Sequence, residues 1–234
     1  FYFSYKSDVR IIILDSTPYF PEDDTLIKIL SHKNIDWRRY NSDIFFAHKI
    51  ADGCQYINTE YAVLCADDDF LIPPSLDICI NYLHEHLDYA SAHGLYFSHK
   101  TSCGNKRFSL APLYRDGISS EEETCVERVF SYLCGRTIYY PMYAVHRALT
   151  FKIIWSETKE YVSEEGLSEL FPSSLSLVFG KMKILPEFYS SREPNYFSWD
   201  GGSEDVLVDK LYSDEKIASA VNGLSKHLCQ NDSI

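Results

Sequence analysis

The chain has 234 residues, of which 45% are hydrophobic and 24% are charged, so it is long enough to bury the core of one globular domain. Its formal charge is −12, from 22 basic and 34 acidic side chains, which disfavours a nucleic-acid-binding protein because phosphate backbones attract basic surfaces. Aromatic residues make up 15% of the sequence, a proportion that argues against disorder and suits a protein that stacks flat ligands or sugar rings.

The cysteines and the hydropathy pattern indicate a cellular compartment. The seven cysteines are scattered, none forms a CxxC pair, and an odd number cannot all pair internally, which predicts free thiols in a reducing environment. The sequence has no visible signal peptide and no apolar run long enough to span a bilayer. We therefore expect a cytoplasmic protein without a transmembrane segment, for which peripheral association with the inner face of the membrane remains open.

The first third of the chain begins with a strand followed by two helices. Val9–Leu14 is a continuous, mostly β-branched run that predicts a buried strand, and Asp15–Pro18 ends it. A short helix is predicted over Asp23–Leu30. Asp43 is a plausible N-cap for a second helix that reaches about Ile57, because apolar residues recur there at helical spacing.

A second apolar strand, predicted over Tyr61–Ala66, is followed directly by three aspartates. Pro73 then begins a third helix, and Tyr89–Ser98 is predicted as a third strand. This alternation of strands and helices predicts an α/β fold in which helices flank a mixed, mostly parallel sheet.

The second half carries weaker patterns. We predict a polar loop over Lys100–Gly117 and a helix over Glu121–Cys134. A second helix is predicted over Leu167–Phe179, ending before Gly180, and it is followed by a strand over Met182–Tyr189 and a terminal helix from about Glu204. The aromatic stretch Tyr139–Ile154 fits neither periodicity. We expect one globular unit over residues 1–199, with a C-terminal tail and helix over 200–234.

The aspartates Asp67, Asp68 and Asp69 are the sharpest chemical feature of the sequence. They follow a buried strand, and ligands of open α/β sheets bind outside the carboxyl ends of the strands. Adjacent carboxylates repel each other unless a cation compensates, and Mg²⁺ or Mn²⁺ bound to a diphosphate would do so. The alternative is a solvated acidic turn that caps the following helix.

The stretch from Asn41 to Leu76 resembles the central motif of family-two nucleotide-sugar glycosyltransferases with the GT-A fold, and its Asp-Asp-Asp-Phe variant resembles a bacterial subset of them. The resemblance implies that Asp67 and Asp69 are the two metal-binding arms of a D-x-D motif. Asp68 is an alternative arm, and Asp67 and Asp68 would contact the donor. Lys49 falls where the family has a basic donor-binding residue, although here it lies within His-Lys-Ile rather than Ala-Arg-Asn.

Ile11–Ser16 is similar to the second strand of the same family, which implies that Asp15 contacts the nucleobase or the ribose. The alternative for Asp15 is a plain Asx-turn at the end of a strand. The family begins with an earlier strand–helix unit, whereas only eight residues precede Val9 here. We therefore expect that unit to be absent from this sequence. Either it lies in an upstream part of a longer protein and completes the site there, or the sheet is short by one strand, which would weaken donor binding.

The resemblance also implies a catalytic base. In the family an acidic pair begins a helix, with a glycine about eleven residues later and a Pro-Glu strand and an arginine after it. Glu169 occupies that position, since Gly180 follows it by eleven residues and Pro186 and Arg192 come next, while Ser168 replaces the first acid of the pair. A carboxylate there would take the proton of the acceptor hydroxyl.

Other residues compete for these roles. Glu164 and Glu165 are rivals of Glu169, and all three could instead be the acidic first turn of a helix. His93 and His146 are further candidates for a metal or diphosphate ligand, although a lone histidine is more often structural.

The acidic motifs predict a glycosyltransferase, and the resemblance to the family implies a role in bacterial surface polysaccharide or glycan assembly. It would move a sugar from a nucleoside-diphosphate sugar to a hydroxyl acceptor, with inversion and with Mn²⁺ or Mg²⁺. One alternative is a non-catalytic sugar-nucleotide or glycan-binding module within a larger protein. Another is a metal-dependent phosphohydrolase or nuclease, which would use the same aspartates but for which the further distant ligands of a two-metal site are not evident.

Overall fold

The computed structural model describes residues 9–102, 107–113, 118–135, 141–164, 166–192 and 215–231. The strands in these ranges are β1 (Ile11–Asp15), β2 (Ile35–Arg39), β3 (Tyr61–Ala62), β4 (Asp69–Leu71), β5 (Tyr89–Ser102), β6 (Arg107–Leu113), β7 (Val145–Arg147) and β8 (Lys181–Arg192). The helices are α1 (Asp24–Leu30), α2 (Phe46–Gly53), α3 (Pro73–Glu85), α4 (Cys125–Leu133), α5 (Ala148–Tyr161), α6 (Leu167–Val178) and α7 (Glu215–Asn231). None of these helices is both long and apolar enough to cross a membrane.

The strands form two separate sheets. β1 and β2 pair in parallel, and the larger sheet has the order β3-β7-β5-β8-β4, with β6 paired to β5. Helices flank this mixed sheet, so the predicted α/β class is confirmed. Within the larger sheet only β5 and β8 pair in parallel, and the other ladders of the described strands are antiparallel. The sheet was expected to be mostly parallel, but most of its ladders are antiparallel. The difference arises because the sequence pattern did not reveal the short strands β4 and β7 or the hairpin strand β6.

The larger sheet carries a helical layer on each face. Ala62 and Leu64 pack against α2 and α5 around the fully buried Trp155. Tyr61 and Val63 pack in the cluster that contains α3. Successive side chains of an extended segment point to opposite faces, so this alternation places α3 across the sheet from α2 and α5.

Helix α6 lies deepest in the structure. All eight residues from Phe171 to Val178 are buried, and α6 contacts α4, α5 and α7. Three of these residues are serines, and each is hydrogen-bonded: Ser173 accepts from the Met142 backbone N–H, Ser174 donates to the Leu170 carbonyl oxygen and Ser176 contacts His146. A helix that is buried around its whole circumference belongs to the core, where polar groups need such partners. Its first turn, which carries Glu169, is therefore held by a rigid element.

Several predicted elements are confirmed, with small shifts in their ends. The first strand, the helix at Pro73 and the buried helix from Leu167 are present. Helix α1 begins after Asp23, whose carboxylate accepts hydrogen bonds from the backbone N–H groups of Thr25 and Leu26. The described part of the C-terminal region begins with α7 at Glu215, so the predicted start near Glu204 lies outside the described residues.

Other predicted elements are wrong. Asp43 does not cap a helix, because α2 begins at Phe46 and its N-cap residue is Phe45. The helix ends at Gly53 and is followed by a short 3₁₀ turn, so it does not continue to Ile57. The predicted loop 100–117 contains β6, which pairs with β5 in a hairpin. Strand β2 was not predicted, because only its first and third residues are apolar and they lie among charged ones.

Gly94 should be indispensable to the central β5–β8 pairing. A Cβ added there would lie 2.4 Å from the Glu187 carbonyl oxygen and 2.9 Å from Tyr189 Cβ. Because the nearest atom is a backbone carbonyl oxygen, which cannot rotate away, Gly94→Ala must push the two strands apart. We expect the free energy of unfolding, measured by urea denaturation, to fall by about 3 kcal/mol or more. Gly135→Ala is the control, since Gly135 has φ of 66° and no atom within 4 Å of an added Cβ. It should cost only about 1 kcal/mol of conformational strain, and equal losses would contradict the prediction.

Candidate functional site

The antiparallel register of β4 and β8 places Asp69 directly opposite Arg192. Arg192 Nε donates to Asp69 Oδ1 at 2.9 Å, and Arg192 Nη2 donates to Asp69 Oδ2 at 2.7 Å. Asp69 is only 8% exposed. This two-point geometry is the strongest form of carboxylate–guanidinium pairing, so the third aspartate of the motif is anchored inside the protein.

Asp67 and Asp68 lie in the turn between β3 and β4 and are exposed. Among the described residues there is no cluster of three or more His, Cys, Asp or Glu side chains that could hold a metal ion. The exposed carboxylates nevertheless fit a cation of the Mg²⁺ type, which takes one or two carboxylates and completes its shell with water and diphosphate oxygens. Both oxygens of Asp69 already accept from Arg192, and the metal role of Asp67 and Asp69 stays a prediction.

Arg192 links the acidic motif to the predicted base. Its guanidinium lies 5.3 Å from the centre of the Tyr143 ring, and the Tyr143 hydroxyl donates to Glu169 Oε1 at 3.3 Å. Burial, together with the negative charge of Glu169, raises the pKa of the Tyr143 phenol, so the phenol stays protonated and can donate. Asp69 and Glu169 are thus joined through two side chains, although they lie 100 residues apart in the sequence.

The rivals of Glu169 are placed elsewhere. Glu164 forms an ion pair with Lys216 of α7, and Glu165 lies outside the described residues. Glu169 itself is half-buried in the first turn of α6. Of the described candidates, Glu169 is therefore the carboxylate that contacts Tyr143, although its catalytic role stays a prediction.

Asp15 is held by its own neighbours at the end of β1. Its Oδ1 accepts from the backbone N–H and the hydroxyl of Thr17 at 2.8 and 2.6 Å. Its Oδ2 accepts from Trp37 Nε1 at 3.0 Å and from Arg39 Nη1 at 2.6 Å. Partial burial opposes ionisation, but these hydrogen bonds outweigh it and hold the pKa of Asp15 well below its usual range. The Asx-turn alternative is therefore present, and contact with a nucleobase or ribose stays a prediction.

Lys49 connects α2 to the same strand end, because its Nζ donates to the Ser16 hydroxyl at 2.9 Å. Its predicted donor-binding role is not tested by this contact. Sequence reasoning missed the partners Arg39 and Trp37, and it did not predict that Tyr143 contacts Glu169. The first two lie on the unpredicted strand β2, and Tyr143 lies in the aromatic stretch that fitted neither periodicity.

His93 and His146 lie in the core rather than at the acidic motif. Burial lowers the pKa of each to about 4, so both are neutral at pH 7. His146 bridges the Ala144 carbonyl oxygen at 2.8 Å and the Ser176 hydroxyl at 2.9 Å. These contacts indicate a structural role.

Comparison with known proteins adds a fold relationship. No family model and no curated protein matches the sequence. The structure of S. aureus TarS residues 1–349 has a TM-score of 0.52 and 13% identity, over 98% of this chain and 64% of that one. A second S. aureus TarS structure has a TM-score of 0.51 and 12% identity, over 95% and 38%. TarS is a glycosyltransferase.

The chain has a GT-A-like fold. It spans less than two thirds of either TarS chain, and at this identity the likeness concerns the fold alone.

Loss of Arg192 should destabilise the protein strongly. Arg192→Met leaves the Asp69 carboxylate buried without its cation, which we expect to cost about 3–5 kcal/mol in the free energy of unfolding. Chemical denaturation of the wild-type protein and of Arg192→Met measures the loss. Lys183→Met breaks the half-exposed pair with Glu121 and serves as the control, with an expected loss below about 1 kcal/mol. Similar small losses in the two variants would mean that the Asp69–Arg192 pair contributes little.

Proposed function

We propose that this protein is a glycosyltransferase that moves a sugar from a nucleoside-diphosphate sugar to a hydroxyl acceptor, with inversion at the anomeric carbon. The observation that carries the proposal is the chain of contacts from Asp69 through Arg192 and Tyr143 to Glu169. It brings together the two acidic elements that donor binding and proton abstraction require. The GT-A-like fold supports the same reaction class at a coarser level.

Glu169 is proposed as the general base. Tyr143 holds its Oε1, and Oε2 receives no hydrogen bond from the described residues, so that oxygen can face an acceptor hydroxyl. In the reaction the base takes the hydroxyl proton while the acceptor oxygen forms a bond to the anomeric carbon. The bond from that carbon to the diphosphate oxygen breaks, and its electron pair leaves with the nucleoside diphosphate.

Asp67 and Asp68 are proposed to face the donor diphosphate, with Mn²⁺ or Mg²⁺ held by Asp67 and by one oxygen of Asp69. When bound, such a cation neutralises the charge that develops on the leaving group. Asp69 would keep its contact with Arg192 through the other oxygen, which limits the movement of the site. We further propose that the acceptor belongs to a surface polysaccharide or another glycan, and that the protein works in the bacterial cytoplasm at the membrane face.

Glu169→Gln tests the base. The amide keeps the size of the side chain but cannot take a proton, so we expect the turnover number to fall about 10²–10⁴-fold while the affinity for donor stays unchanged. Release of the nucleoside diphosphate from the donor measures the turnover number, and calorimetric titration with the nucleoside diphosphate measures the affinity.

Glu164→Gln is the matched control for Glu169→Gln. It changes a nearby carboxylate that is paired with Lys216, and it should leave the rate within about twofold. Full activity of Glu169→Gln would remove Glu169 from the mechanism, and loss of activity in Glu164→Gln alone would transfer the role to Glu164.

Stabilisation by nucleotide tests the donor site. UDP, GDP and CDP are each added with and without Mn²⁺, and thermal unfolding is followed. A ligand that binds only the folded state raises the melting temperature by mass action. We expect one nucleotide to do so only with metal, and Asp67→Ala to abolish the rise. Asp24→Ala, an exposed aspartate on α1, should preserve it.

A non-catalytic sugar-nucleotide or glycan-binding module is the second candidate. It is favoured by the observation that the carboxylates of Asp15 and Asp69 both accept hydrogen bonds from arginines of the protein itself. Under this alternative the nucleotide shift would appear, but no turnover would accompany it and Glu169→Gln would change nothing. The two experiments together therefore separate an enzyme from a binding module.

A further inference from the structure

The backbone around Tyr143 is held from two sides. Tyr143 ends a short 3₁₀ turn, Pro141–Tyr143, and is only 7% exposed. Its carbonyl oxygen accepts a hydrogen bond at 2.8 Å from the hydroxyl of Tyr189, a fully buried residue of β8. The backbone N–H of Met142 donates to Ser173 Oγ of the buried helix α6 at 3.4 Å. The turn is thus attached both to the larger sheet and to α6, so the core fixes the place from which the Tyr143 side chain starts.

The Tyr143 hydroxyl contacts Glu169 at a helix position where a local cap is the usual arrangement. Gly166 is the N-cap residue of α6, which makes Glu169 the third residue of that helix. A glutamate at this position commonly folds back and accepts from the backbone N–H of the N-cap residue. Within the described residues, the donor to the Glu169 carboxylate is instead Tyr143, which belongs to a different element. The orientation of this carboxylate is therefore set by a tertiary contact rather than by its own helix.

The ring of Tyr143 makes the second contact. The Arg192 guanidinium lies 5.3 Å from the ring centre, within the range over which a cation is attracted to an aromatic face. The same guanidinium binds both carboxylate oxygens of Asp69. One buried side chain thus contacts the proposed base through its hydroxyl and the acidic motif, by way of Arg192, through its ring.

We propose that Tyr143 is a positioning residue for the transfer reaction. Its hydroxyl holds Oε1 of Glu169 so that Oε2 faces the acceptor, and its ring ties that orientation to the Asp69–Arg192 pair. An unrestrained glutamate side chain populates several rotamers, and a displacement of about 1 Å at a reacting group can cost about 10²-fold in rate. The inference rests on the proposed function, because Tyr143 has this role only if Glu169 takes the acceptor proton.

Tyr143→Phe tests the hydroxyl. The variant keeps the ring beside Arg192 but removes the hydrogen bond to Glu169. We expect the turnover number to fall about 10–100-fold, while the affinity for the nucleoside diphosphate that stabilises the protein stays within about twofold. Release of the nucleoside diphosphate measures the first quantity, and calorimetric titration measures the second. An unchanged turnover number, or an equal loss of affinity and turnover number, would overturn the proposal.

Tyr89→Phe is the matched control. The Tyr89 hydroxyl also donates to a glutamate carboxylate, that of Glu121. Tyr89 begins β5, whereas Arg192 pairs with Ser98 much further along the same strand, so this tyrosine lies well away from the acidic motif. The variant should keep its turnover number within about twofold. A fall equal to that of Tyr143→Phe would show a general effect of losing a tyrosine hydroxyl and would overturn the proposal.

Two backgrounds test the link to each neighbour of Tyr143. In Glu169→Gln, adding Tyr143→Phe should cause no further fall in the turnover number, because the base that it positions is already lost. Arg192→Lys keeps a cation for Asp69 but removes the planar group beside the ring. In that background Tyr143→Phe should lower the turnover number less than it does in the wild type. Additive falls in either background would overturn the proposal.

A stability cycle separates this inference from the proposed function, because it needs no turnover. Melting temperatures are measured for the wild type, Tyr143→Phe, Glu169→Ala and the double variant. We expect Tyr143→Phe to lower the melting temperature less when Glu169 is already alanine, since the contact is then absent. Independent effects would overturn the contact and the proposal with it. Coupled effects in a wild type that shows no turnover would contradict the proposed function and overturn only the catalytic use of Tyr143.

Discussion

The buried ion pair between Asp69 and Arg192 is the interaction on which the candidate site depends. An ionised carboxylate that is almost excluded from water is stable only with a partner, and Arg192 supplies two hydrogen bonds to it. The two residues lie opposite each other, so the pair also fixes the register of the edge strand β4 on β8. The guanidinium lies over Tyr143, which in turn holds Glu169. One electrostatic requirement therefore positions residues from four distant parts of the chain.

The three aspartates of the motif have different surroundings although they are adjacent. Asp67 and Asp68 lie in a turn that faces solvent, whereas Asp69 begins β4 and points inward. Strand alternation then turns Phe70 outward, where its side chain is 55% exposed, and Leu71 inward. The Phe70 ring packs edge-to-face against His99 of β5, with the ring centres 5.7 Å apart. The alternation of β4 therefore separates an inward-facing, paired aspartate from the two aspartates of the exposed turn.

The split between the sheets bears directly on the site. Asp15 and Ser16 lie at the carboxyl end of β1, and the acidic motif follows the apolar run that begins with β3. Because β1 and β3 belong to different sheets of the described structure, no backbone ladder joins the two groups of residues, and side-chain packing alone sets the distance between them.

The sequence by itself determined the α/β class, the principal helices and the position of the acidic motif. These follow from local rules, namely apolar periodicity and the proline at the start of α3. The resemblance to the glycosyltransferase family also singled out Glu169, because the family pattern places its base ahead of a glycine and an arginine as Glu169 stands ahead of Gly180 and Arg192.

Only the tertiary structure decided how those residues are used. The pairing of Asp69 with Arg192, and of Asp15 with Trp37 and Arg39, joins residues that are 123, 22 and 24 positions apart. Such pairs depend on strand register, which the sequence encodes through packing of the whole sheet rather than through local spacing. The short strands β4 and β7 have three residues each and too little periodicity to detect, and the strand predicted over Tyr61–Ala66 pairs only at Tyr61 and Ala62, as β3.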